Sequence, residues 1–234
     1  MLKRLYIFSV RIARRLAAGA GLLSFLEKRS HNRTARWLRS LFSIYDIDDL
    51  IHLDLAWWTF EAMDVVDQFL KETPRARVFE YGSGASTVWM ARRGARVTSV
   101  DHDQDWVNRL QSRLAQFPDI DLRYVAPYRA AKPEYASDVG DWRGWEFKDY
   151  VESIGIGDCE YDLIIVDGRS RASCLLYSMD RLSPRGIIVF DNSRRARYRS
   201  AIESSGLEKI VTKGLTASLP YSDETTILKR RYSW

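Results

Sequence analysis

Residues 75–103 read RARVFEYGSGASTVWMARRGARVTSVDHD, and the architecture of the chain is worked out from this stretch. Val78 and Phe79 lie in a short apolar run, Glu80 follows, and Gly82, Ser83 and Gly84 make a turn. Ser86 and Thr87 then open a helical pattern that Gly94 closes. A second apolar strand, Val97 to Val100, ends on Asp101, nineteen positions after Gly82. The stretch reads as a βαβ unit with a glycine turn and a carboxylate suited to ribose hydroxyls at one sheet edge. Glycine at 82 and 84 permits positive φ and a close backbone approach to a ligand. The helix starting near Ser86 directs free N–H groups to the same place.

A dinucleotide fingerprint carries a third glycine three positions after the second, but Thr87 stands there. A pyrophosphate also has no use for Glu80, so the site looks made for a ligand with cationic groups. The turn by itself also admits an NAD site or a glycine turn with no ligand. With Glu80 and Asp101 included, these residues resemble the class I S-adenosylmethionine-dependent methyltransferases, whose first motif is an acidic residue, any residue, then Gly-x-Gly. The resemblance spans Asp54 to Lys229. It implies that Glu80 lies by the methionine part of S-adenosylmethionine, that Gly82 and Gly84 line the cofactor's floor, and that Asp101 holds the ribose. Ser83, Ser86, Thr87 and Asp167 complete the expected contacts, with His102 at the rim near adenine or ribose.

The length of 234 residues suits one α/β domain with additions, and an apolar content of 46% supplies a full core. A helical stripe over Leu55, Trp58, Ala62, Val66 and Phe69 predicts a helix from Asp54 to Leu70 that Pro74 prevents from running on. A helix over Gln104–Phe117 and strands at Ile120–Val125, Tyr161–Val166 and Ile187–Phe190 follow. A basic helix from Ser193 to Ser204 and strands near Lys209–Thr212 and Thr225–Lys229 end the chain. The expected fold is Rossmann-like: a doubly wound, mostly parallel seven-stranded sheet with an antiparallel last strand. An N-terminal helical extension (1–50) precedes the catalytic domain (51–234).

Two consecutive strands finish in oxygen-bearing side chains, Asp167 on one and Asp191–Asn192 on the next. A parallel sheet brings them to the edge that carries Gly82 and Asp101. Three hard donors there can hold Mg²⁺, can serve as a metal-free general base led by Asp167, or can cap the following helices. The trio resembles the metal site of catechol O-methyltransferase and its relatives, which implies that the ion lowers the pKa of an acceptor hydroxyl. Those enzymes carry a lysine three residues after the first aspartate, where this chain has Ser170 between Arg169 and Arg171. The two arginines are candidates to grip an anionic acceptor, because the guanidinium fork matches a carboxylate or phosphate. Residues 127–145 break all periodicity and carry Tyr135, Trp142 and Trp145, which fits a substrate loop. Three scattered histidines do not assemble a hydrolase triad. The expected reaction is methyl transfer to a hydroxyl of a small-molecule, sugar or lipid-linked acceptor, with Asp167 taking the proton and Asp191 and Asn192 supporting it. An N- or nucleic-acid methyltransferase and a non-catalytic scaffold that kept the fold are the rival readings.

Ten of the first 40 residues are Lys or Arg against Glu27 alone, although the whole chain carries only +5. The catalytic domain is therefore net acidic and gives no reason to expect nucleic acid. As a helix, the arm places Arg4, Arg11, Arg14 and Arg15 together and Leu2, Leu5, Ile12, Ala13, Leu16 and Leu23 opposite. Such a helix can lie on an anionic membrane, pack on its own domain, or pack on the second subunit of a homodimer. No run of apolar residues is long enough to span a bilayer. Cys159 and Cys174 show no metal spacing and fit a reducing cytosol. The expected location is cytoplasmic, at the inner membrane face if the arm binds lipid.

Overall fold

The computed structural model describes residues 2–44, 46–137, 140–157 and 159–231. Four helices lead the chain: α1 (Leu2–Gly19), α2 (Leu22–Glu27), α3 (Arg33–Ser40) and α4 (Ile47–His52). A fifth, α5 (Phe60–Glu72), delivers the chain to β1 (Arg77–Tyr81). It begins six residues later than the apolar stripe predicts. Thr59 caps it by accepting from the Ala62 N–H at 3.2 Å, and Leu55, Ala56 and Trp58 are buried ahead of the helix. The chain continues through α6 (Ala85–Ala91), β2 (Arg96–Asp101), α7 (Gln104–Leu114) and β3 (Ile120–Tyr124).

The aperiodic stretch that follows is more ordered than its sequence suggests. A small hairpin pairs β4 (Tyr128–Arg129) with β5 (Trp145–Glu146). The buried Glu146 carboxylate accepts from the backbone N–H groups of Glu134, Tyr135 and Phe147. Then come α8 (Lys148–Glu152), β6 (Tyr161–Val166), α9 (Arg171–Ser178), β7 (Leu182–Asp191), α10 (Arg199–Ser204), β8 (Glu208–Leu215) and β9 (Ser222–Lys229). The expected basic helix from Ser193 is thus confined to its second half, after a single 3₁₀ turn at Ala196–Tyr198.

The seven strands of the main sheet lie in the order β3-β2-β1-β6-β7-β9-β8. The first five are parallel, and β9 runs antiparallel to β7 and β8 on either side of it. This is the Rossmann-like fold expected, with the antiparallel strand last in the chain. Side chains alternate along β6: Leu163 and Ile165 join Trp58, Val66 and Met90 on one face, while Ile164 and Val166 join Phe79, Tyr150 and Phe190 on the other. Strand order reverses between β1 and β6, which puts the crevice of a doubly wound sheet at their carboxyl ends.

Charge ties the arm together internally and also ties it to the domain, where Arg33 pairs with Asp64 of α5. Arg14 pairs with Asp46 and, at 3.0 Å, with Asp49, and buried Arg39 pairs with Asp49 at 2.8 Å and Glu27 at 2.7 Å. The Trp37 indole donates to the Leu219 carbonyl at 2.9 Å.

Candidate active site

The glycine turn is built from its carboxylate outward. Glu80, at the end of β1, is fully buried and accepts from three hydroxyls: Ser86 Oγ, Thr87 Oγ1 and, at 2.7 Å, Ser99 Oγ. Burial pushes its carboxyl up to about 7, with the three hydroxyls opposing that shift. Glu80 therefore faces inward and fastens the start of α6 to β2, and it does not reach out to a cofactor as the resemblance implied. Ser86 and Thr87 are occupied with the same task.

The loop N–H groups are also committed. Those of Gly82, Ser83 and Gly84 donate to Val100 O, Asp101 Oδ2 and Thr87 Oγ1, at 2.9, 3.0 and 2.9 Å. A phosphate cradle needs such donors free, so this turn does not hold a pyrophosphate, and the dinucleotide reading falls. Gly82 has φ +96°, and a Cβ there would lie 2.7 Å from Gly168 Cα. Its glycine is required where the loops after β1 and β6 touch. A Cβ on Gly84, in contrast, would meet nothing closer than Ser86 Oγ at 3.9 Å, which leaves room for a ligand against that backbone.

Asp101 ends β2 beside this turn. Its Oδ2 accepts from the Ser83 N–H and hydroxyl, both at 3.0 Å, and its Oδ1 from the His102 and Asp103 N–H groups. His102 Nε2 accepts from Arg169 Nε at 3.0 Å, and Nδ1 lies 3.0 Å from Asp101 Oδ1 but outside hydrogen-bond geometry. The Trp142 ring stands edge-on to His102 with centroids 4.7 Å apart, and Trp145 lies beyond it at 5.3 Å. The loop aromatics thus reach the edge that carries Asp101, with Tyr135, Trp142 and Trp145 half-buried against the same core face. Five buried side-chain polar atoms lack a partner among the described residues, and His102 Nδ1, Tyr150 OH and Ser170 Oγ of these lie at this edge. Open space at Gly84 and unpartnered polar atoms nearby fit an adenosyl ligand.

At the neighbouring strand ends, Arg171 reverses two expectations. Its guanidinium is 2.6 Å from Asp167 Oδ1 and 3.7 Å from Asp191 Oδ2, and it donates to the carbonyls of Asp167, Gly168 and Asp191. A side chain so committed is not free to grip an acceptor. It also brings positive charge to the place where an ion bridging Asp167 and Asp191 would sit. Asn192 turns away, donating to Asp223 Oδ2 at 3.0 Å. Among the described residues no group of three or more His, Cys, Asp or Glu could hold a metal ion. The residues do not fit Mg²⁺. Arg169, drawn to His102, faces the cofactor edge and not an acceptor.

Burial pushes the Asp191 carboxyl up to about 8, reinforced by the Asp167 charge beside it, and Thr225 Oγ1 donates to Asp191 at 2.7 Å. Burial also raises Asp167, opposed mainly by Arg171. Asp191 is nearly inaccessible, whereas Asp167 retains 21% of its side-chain surface. The residues that sequence reasoning missed follow directly: Arg194, Arg195, Arg197 and Arg199 are all exposed, and none has a carboxylate partner among the described residues. Arg195 is close enough to help hold the Asp167 carboxyl down. The signal was the run SRRARYR immediately after the strand-end pair, which helical periodicity hid.

Residues 79–193 match a family model described as a methyltransferase domain. None of the curated proteins matches the chain in sequence. Among solved structures, a methyltransferase-like protein from Silicibacter pomeroyi is 22% identical with a TM-score of 0.50, over 76% of this chain and 91% of its own. A TehB-like SAM-dependent methyltransferase from Corynebacterium glutamicum is 13% identical with a TM-score of 0.48, covering 83% of this chain and 99% of its own. A Streptococcus mutans protein solved in complex with SAH is 11% identical with a TM-score of 0.49, covering 71% and 97%. The sheet order, the non-phosphate glycine turn and the family match agree, and the chain carries a methyltransferase domain of the class I S-adenosylmethionine-dependent family.

Proposed function

We propose that the domain methylates a hydroxyl of a small anionic acceptor bound between residues 127–145 and the arginine run 194–199. S-adenosylmethionine, held against Gly84 and Asp101, supplies a methyl group activated by its sulfonium. The other acceptor positions of Asp101 are taken by backbone N–H groups, so a ribose hydroxyl takes the position of the Ser83 hydroxyl. His102, Arg169 and Trp142 close that side and exclude water.

The observation that carries the oxygen acceptor is the unequal pair of carboxyls. Asp191, pushed up to about 8, hydrogen-bonds to Asp167, and Asp167, the less buried member and the one held down by Arg171, receives the acceptor proton. Arg171 fixes both and supplies the positive charge that the trio was expected to draw from Mg²⁺. Arg195, near Asp167, and the exposed arginines that flank it in the chain select an acceptor bearing carboxylate or phosphate.

The test is transfer from S-adenosylmethionine labelled in its methyl group to an extract fraction of acidic small molecules, with the labelled product located by mass spectrometry. Label on oxygen supports the reading. Label on nitrogen or carbon, or only in basic products, contradicts it.

A further inference from the structure

Among the described side chains of α1, Ala17 and Arg14 face the rest of the arm. Ala17 is buried and Arg14 reaches Asp46 and Asp49. The opposite side faces solvent and is divided in two. Phe8, Ile12 and Leu16, four residues apart, make an apolar row with Phe8 61% and Leu16 70% exposed. Arg11 and Arg15 make an adjacent exposed row without an ion pair among the described residues. α2 carries the same character onward, with exposed Leu22 and Phe25 and, just after it, exposed Lys28 and Arg29; the Arg29 guanidinium lies 3.7 Å over the Phe25 ring.

We infer that this face is an interfacial anchor for an anionic membrane surface, with the α1 apolar row in the acyl boundary and the arginines among acidic headgroups. Charge chooses this occupant. The nearby carboxylates, Asp46 and Asp49 within the arm and Asp64 on α5, are already paired with Arg14, Arg33 and Arg39, so Arg11 and Arg15 are the cations turned outward. A second copy is the competing occupant, and the loss of a dimer in the serine variant would reveal it. A nucleic acid would satisfy the arginines but has no use for Phe8, Ile12 and Leu16. No described helix is long and apolar enough to cross a membrane, so the helix lies on the surface.

The experiment is flotation of the full chain with vesicles of phosphatidylcholine alone and with about 30% phosphatidylglycerol, in low and high salt. The expected result is binding to the anionic vesicles only, weakened by salt. Phe8→Ser with Leu16→Ser should weaken it by about tenfold per side chain. Arg11→Gln with Arg15→Gln should weaken it by about fivefold per charge and flatten the salt dependence. An unchanged thermal midpoint and S-adenosylmethionine affinity show that each variant is folded. Absence of anionic-vesicle binding by the parent chain overturns the inference. So does equal binding by the parent and both variants, or loss of a dimer by the serine variant with vesicle binding intact.

Discussion

Arg171 folds back from the first residue of its helix to within 2.6 Å of Asp167, four positions earlier in the chain, and in doing so closes the ends of β6 and β7. The cation is about nine-tenths buried. Arg171→Leu should leave two carboxyls without their partner and cost about 3–5 kcal/mol of stability, read as the shift in a urea-unfolding midpoint. Arg171→Lys should recover only part of this, because an ammonium cannot span both carboxyls and three carbonyls.

Asp167→Asn should lower turnover by about 10²–10⁴-fold while S-adenosylmethionine affinity stays within about twofold. Because burial raises the Asp167 carboxyl and transfer needs it ionised, the rate should climb with pH through a value above the ordinary carboxylate range and then level. Chelator should leave that profile in place, since Arg171 stands where an ion would.

Glu80 supplies a stability test with a defined sign. Folding moves its carboxyl from 4.5 to about 7, so the native state binds the proton more tightly than the unfolded chain. Its contribution is fully present below about pH 4.5 and is lost as pH rises to about 7, a change of about 3 kcal/mol. Glu80→Gln cannot ionise, so the stability difference between variant and parent should move in the variant's favour across this window. Chemical denaturation at several pH values measures it.

Arg194→Ser with Arg195→Ser should raise the acceptor KM by about tenfold or more, leaving cofactor affinity and fold unchanged, since each charge-assisted hydrogen bond contributes about 1.5–3 kcal/mol. The parent enzyme's KM should rise with salt and the variant's much less.

The βαβ unit and the strand ends were legible because each is a local pattern: an apolar run, a turn residue, a carboxylate at a fixed distance. The direction in which Glu80 points was not. It is decided by hydroxyls from α6 and from β2, which meet only in the fold. Arg171 was misread for a related reason, since nothing in Asp-Gly-Arg-Ser-Arg says that the second arginine turns back while the first reaches His102. Helical periodicity placed Leu55 and Trp58 on a helix, but Thr59 caps that helix later and a bridge from Thr59 to Thr216 ties the segment to the far edge of the chain. The arm's separation of charge from apolar residues was visible in the sequence, whereas the use of Arg14 as an inward anchor needed Asp46 and Asp49 in place.

The cofactor site is measured by isothermal titration of the full chain with S-adenosylmethionine, alongside Asp101→Ala. One saturable site is expected in the parent chain, with binding weakened by at least about tenfold in the variant, as loss of a charge-assisted hydrogen bond requires. No binding by the parent chain, or equal affinity in both, would contradict a cofactor site at Asp101.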